Sequence, residues 1–189
     1  MMKYDYFEAL ESMAICAVKA VESSCGERAS SEKETFSHIR AEANKTLISL
    51  QKALFLDFLP PLGREDIASL AHVLSGITDA AHTHATLSSA LGTSRRRSEE
   101  ERICITLAEE LKSCVNMLRK LKKNDKLPEL EKIRELLHSG AEAHSADIAR
   151  IYSGSFPQKR LDVVLSAGRL RTAISHALDT LIEVMLSNI

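Results

Sequence analysis

The sequence predicts an all-α protein, six helices built as two three-helix units in tandem. Three observations carry the fold class. Apolar residues recur at three-and-four spacing through every long segment. The breaks between segments fall on proline or glycine. Aromatics make up only 4% of the 189 residues, while Leu, Ala, Glu, Lys, Arg and Ser dominate, the composition of helices packed by aliphatic ridges. A chain of this length buries one sizeable core and does not need two, so residues 1–189 are expected to form a single domain.

The first helix is expected from about Asp5 to Ser24, with Phe7, Leu10, Ala14, Ala17, Val18 and Val21 on one face and Cys25-Gly26 as its end. Ser31 and Glu34 form an S-x-x-E capping box for the second, which carries Phe36, Ile39, Ala43, Leu47, Leu50 and Leu54 to about Asp57. Pro60-Pro61 cannot continue a helix, and Gly63 lets the chain turn. Glu65 and Asp66 then place negative charge on the first amides of a third helix from about Arg64, faced by Ile67, Leu70, Leu74, Ile77 and Ala81 and stopped at Gly92. So short a linker predicts an antiparallel hairpin.

Ser98 and Glu101 form a further capping box, opening a fourth helix with Ile103, Leu107, Leu111, Cys114, Leu118 and Leu121. Pro128 begins a fifth, with Leu130, Ile133, Leu137, Ala141, His144, Ile148 and Ile151, broken by Ser153-Gly154-Ser155 and Pro157. The sixth runs from about Gln158 to Leu186. Laying Asp66-Ile67 on Asp162-Val163 superimposes Leu74 on Leu170 and Ala81 on Ala177, and Ala41-Glu42-Ala43-Asn44 echoes Ala141-Glu142-Ala143-His144. The order of breaks repeats with them, giving repeat halves of about 1–92 and 98–189.

Charge excludes some functions. Lys plus Arg total 25 against 26 for Asp plus Glu, a net charge of -1, so no basic field exists to collect nucleic acid. Arg95-Arg96-Arg97 reads as a solvated turn nearly cancelled by Glu99, Glu100 and Glu101, and Arg119, Lys120, Lys122 and Lys123 as cations at a helix C-terminus. No segment has the length and apolarity of a membrane span or the pattern of a secretory signal, so a soluble, cytoplasmic chain without direct membrane insertion is expected. Cys16, Cys25, Cys104 and Cys114 have no CxxC spacing, and Cys16 and Cys114 read as small core residues. His82 and His84 are two apart, His138 and His144 six apart, so none makes the i, i+4 ligand pair of a metal helix. With no glycine-rich phosphate loop and no nucleophile elbow, no catalytic residue and no cofactor are indicated.

Helix two, the stretch from Phe58 to Asp79 and the closing helix together resemble the PhoU-like family often encoded beside Pit-type phosphate transporters, the Pit accessory proteins or phosphate transport regulators. The family hairpin reads approximately F-x-T-P-x-x-R-E-D-I-x-x-L-x-x-x-L-D-x-I-x-D. Here Phe58, Pro61, Arg64, Glu65, Asp66, Ile67, Leu70, Leu74, Ile77 and Asp79 occupy the matching places. The resemblance implies a non-enzymatic regulator or accessory protein of inorganic phosphate transport. Its partner would be a Pit-type transporter or a phosphate-signalling protein, met through helix faces at the inner side of the membrane, and homo-oligomers are compatible with it.

The family's E-x-x-x-D pairs, which hold metal ions, are degenerate here. The places fall on Arg40 and Asn44, on Ser75 and Asp79, on Gly140 and His144, and near Thr172 and Ser175. An arginine in place of a carboxylate repels the cation it would have held. The alternative to a metal-free regulator is a bundle that keeps a shifted carboxylate site, for which Glu42, Asn44, Asp79 and His144 are the candidate ligands. Glu42, Asp79, Glu142 and Asp147 otherwise read as solvated acids or partners of Arg40, Lys45 and Arg150.

Overall fold

Asp5 starts the first helix from outside it: its carboxylate accepts from the Glu8 amide at 3.0 Å, satisfying one of the orphan donors of the first turn of α1 (Tyr6–Ser24). In the computed structural model, which describes residues 4–25, 32–57, 59–90, 97–120 and 130–188, the remaining helices are α2 (Glu32–Leu56), α3 (Arg64–Ala90), α4 (Glu99–Leu118), α5 (Leu130–Tyr152) and α6 (Leu161–Ser187). No strand occurs among the described residues. The expected features at Gly26, Ser31, Phe58, Gly92, Leu121 and Pro128, and the side chain of Glu34, lie outside what is described.

The Asp5 carboxyl is held below its ordinary value of 3.8, chiefly by the Glu8 amide and secondarily by Arg119. Its folded pKa is depressed, so the stabilisation is complete above about pH 4 and is lost as pH falls through the lowered folded value. Asp5→Ala is expected to lower stability near neutral pH by about 1 kcal/mol. In thermal melts the gap to wild type should close below pH 4; a gap that stays constant to pH 2 would show that the cap is not the cause.

Between α2 and α3 the Pro60-Pro61 break makes the expected corner, and Arg64 closes it. Its guanidinium donates to the Leu54 carbonyl at 2.7 Å and to the Asp57 carbonyl, filling acceptors that the end of α2 leaves open. At the start of α4 the capping box is complete: the Glu101 amide donates to Ser98 Oγ, and the Ser98 amide to Glu101 Oε2. Gly154, with φ of 77°, supplies the left-handed residue after α5. The sixth helix begins later than expected. Gln158–Arg160 form a single 3-10 turn, in which the Arg160 amide reaches the Pro157 carbonyl, and the α-helix takes over at Leu161.

Each half is a three-helix unit: α1, α2 and α3 pack pairwise, as do α4, α5 and α6. The halves join through α1 on α4 and α3 on α6, so α1, α3, α6 and α4 close a ring around the core, with α2 and α5 outside it. Leu10 and Met13, Leu70, Leu74 and Ile77, Leu107 and Leu111, and Leu170 and Ile174 fill that ring, all almost fully buried. The outer position of α5 explains why its apolar stripe is buried fully only at Ile133 and Ile151, while Leu137, His144 and Ile148 keep some exposure. All four cysteines are free thiols and buried.

Candidate functional site

The residues expected to rebuild a carboxylate metal site are not brought together. On α2 and α3, Arg40 Nε lies 2.9 Å from Asp79 Oδ1, an ion pair whose side chains are about half exposed. Asn44, one turn along α2, and Glu42 are exposed, and residues two apart on a helix point to different sides. His144 belongs to α5, in the other half. Asp147 pairs with Arg150 at 3.0 Å, and Glu142 with His138 at 3.4 Å. The guanidinium beside Asp79 places a positive charge on that carboxylate.

The polar chemistry is concentrated elsewhere, at the N-terminal end of α4. Glu100, expected to offset the arginine run in a solvated turn, and Glu101, expected to do so and to close the capping box, are 1% and 2% exposed. Burying a carboxylate requires donors, and each finds them across the helix interfaces. Glu100 Oε1 accepts from Arg171 Nε of α6 at 3.2 Å, and Oε2 from His144 Nδ1 of α5 at 2.9 Å. Two glycines admit these side chains. A Cβ on Gly168 would lie 2.6 Å from His144 Cε1, and one on Gly140 would lie 2.7 Å from Arg171 Cδ. His144, a degenerate metal position by sequence, therefore holds a carboxylate here.

Glu101 faces the ring interior. Its Oε1 is 2.7 Å from Nε2 of His84, a fully buried residue near the end of α3, while its Oε2 caps α4. The other imidazole nitrogen, Nδ1, is 2.8 Å from Ser166 Oγ of α6, and Ser166 donates its hydroxyl proton to the Val163 carbonyl at 2.8 Å. Ser166 Oγ therefore accepts, and Nδ1 carries a proton. Cys25 closes the group from the end of α1: its thiol lies within 4.8 Å of the ligating atoms of His84 and Glu101. Arg97 Nε donates to the Cys25 carbonyl at 2.6 Å, so one member of the arginine run serves the C-terminus of α1. Burial, then the neighbouring Cys25 and Glu100, push the Cys104 thiol well above its ordinary value.

Register was the available signal for these residues. Glu100 stands three before Ile103 and seven before Leu107; Glu101 three before Cys104; His84 three after Ala81; Ser166 four before Leu170. A polar residue on an apolar stripe is one that the core must satisfy. Beside Glu100, a cleft of about 610 Å³ opens between α4, α5 and the start of α6, lined by Arg97, Arg102, Arg150, Arg160 and Asp147. The Phe156 ring lies beneath two of these arginines, with Arg160 at 4.9 Å and Arg150 at 5.6 Å from its centroid.

No helix among the described residues is long and apolar enough to cross a membrane. No protein-family sequence profile matches the chain, and no curated protein matches it by sequence. Solved structures do. A PhoU-like protein from Shewanella oneidensis MR-1 aligns with a TM-score of 0.67 at 12% identity, covering 97% of both chains. A PhoU-like phosphate regulatory protein from the same organism aligns with a TM-score of 0.61 at 13% identity, covering 97% of this chain and 96% of that one. A likeness that spans both chains from end to end, at so low an identity, is one of architecture: the protein has the PhoU-like fold.

Proposed function

We propose that this chain is a non-enzymatic regulator or accessory protein of inorganic phosphate transport that acts by presenting helix faces to a partner. The observation that carries the reading is the end-to-end match of its fold to a PhoU-like phosphate regulatory protein. The Arg40–Asp79 ion pair supports the further point that it works without a metal held in the family's carboxylate positions. Asp79→Ala is accordingly expected to leave the metal content of chelator-free preparations unchanged.

The partner proposed is a Pit-type phosphate transporter or a phosphate-signalling protein. A face suited to it is the α2–α3 corner, where Phe55, Leu56 and Leu59 are 86%, 80% and 73% exposed, large apolar side chains held in water. Affinity capture from a detergent-solubilised membrane fraction is expected to recover such a partner. The triple variant Phe55→Ser, Leu56→Ser, Leu59→Ser should reduce recovery at least tenfold with helicity intact, because exposed substitutions change stability by only about 0.5 kcal/mol each. Recovery of neither class by the wild-type chain would count against the regulatory reading.

A further inference from the structure

Three potential ligands meet where α1 and α3 end and α4 begins. Cys25 Sγ, a ring nitrogen of His84 and a carboxylate oxygen of Glu101 lie within 4.8 Å of one another, and all three residues are buried. We propose that this cluster binds a thiophilic divalent ion of the zinc class through the Cys25 thiolate, His84 Nε2 and Glu101 Oε1. Thiolate, imidazole and carboxylate together form a donor set that suits zinc and offers little to magnesium or calcium. None of the three stands at a degenerate family position.

The surroundings of the ligands support this assignment. Ser166 takes the Nδ1 proton of His84, so the nitrogen directed at Glu101 is the one that can offer a lone pair. Glu101 is fixed through its other oxygen by the Ser98 amide, so a bond formed at Oε1 does not break the cap of α4. A tetrahedral ion with bonds of about 2.0 Å to nitrogen and oxygen sets those two ligands about 3.3 Å apart. His84 Nε2 and Glu101 Oε1 are 2.7 Å apart, a gap with room for one proton; the ion enters when this pair opens by about half an ångström and the Cys25 sulfur, within 4.8 Å of both, closes on it.

The exchange balances. The divalent ion enters, the Cys25 thiol releases one proton, the His84–Glu101 pair releases the proton it shares, and two metal–ligand bonds plus the metal–thiolate bond replace them. Thiolate and carboxylate then neutralise the dication in a buried place, and the fourth tetrahedral position is open to water. Because two protons leave, affinity rises with pH. The bound ion would tie α1 and α3 of the first half to α4 of the second.

The test uses the full chain, stripped with chelator and titrated with zinc against a chromophoric competitor. One equivalent is expected to bind, and cobalt in its place should give a thiolate charge-transfer band in the near ultraviolet. Cys25→Ser should abolish that band. Ser166→Ala, which frees the imidazole to turn, should weaken zinc binding about 10–100-fold. Asp79→Ala should change neither reading. Less than one equivalent bound by folded wild-type chain, or a cobalt spectrum without the thiolate band, would overturn the proposal; the wild-type spectrum decides this even if Cys25→Ser fails to fold.

Discussion

Glu100→Ala is expected to destabilise the chain by about 3 kcal/mol and to lower its melting temperature by roughly 6–12 °C. The variant leaves the Arg171 guanidinium, 18% exposed, facing a hole with no counter-charge, and takes from His144 the acceptor of its Nδ1 proton. Removing one partner of a buried pair costs about 3–5 kcal/mol because the other keeps its desolvation penalty; the lower end applies, since Arg171 and His144 each retain some contact with water. Glu100→Gln keeps an acceptor oxygen and should lose about 1–2 kcal/mol. Replacing both Glu100 and Arg171 by leucine should recover much of the loss, because no charge is then stranded. Circular dichroism melts decide the matter. If Glu100→Ala melts with wild type, the carboxylate is not the anchor of this interface.

Leu170→Ala is expected to cost about 2–5 kcal/mol, from lost burial plus the cavity left in the core. Leu170 is fully buried, and its repeat counterpart Leu74 nearly so. Leu74→Ala should behave alike, within about 1 kcal/mol, since both side chains are almost fully buried leucines of the same core. Ile48→Ala, at a position 51% exposed on the outer helix, should change stability by less than about 0.5 kcal/mol. Denaturant titration with constant m-value gives the comparison. A Leu170→Ala loss no larger than that of Ile48→Ala would mean that α6 does not enter the core as described.

The fold was legible because its signals are local. Pro60-Pro61, the Ser98–Glu101 capping box and the Ser153-Gly154-Ser155 break act within a few residues of themselves, and each ends or starts a helix where the structure does. The apolar stripes marked the core faces in the same way. The polar centre was legible only in part. Glu100 and Glu101 read as a solvated run because charge runs usually are, although both stand on the stripe of Ile103, Cys104 and Leu107. Their partners are chosen by tertiary packing: Arg171 is 71 positions from Glu100, and Ser166 is 82 from His84. No spacing rule reaches that far. The same distance hid the company of Cys25, whose lack of a CxxC neighbour says nothing about a histidine and a glutamate arriving from two other helices. Glu42, Asn44, Asp79 and His144 were linked through the resemblance, and in the structure Asp79 pairs with Arg40 while His144 holds Glu100.

The contacts around the ring of α1, α3, α6 and α4 have a two-fold pattern. Exchange the halves, and the α1–α4 contact maps onto itself, as does the α3–α6 contact, while among the described residues α1 and α6 make no close backbone packing and α3 meets α4 through the His84–Glu101 side-chain bridge. That is the pattern of an isologous two-fold interface. The protein is in this sense a dimer written as one polypeptide, with the linker holding the second unit at a high local concentration beside the first.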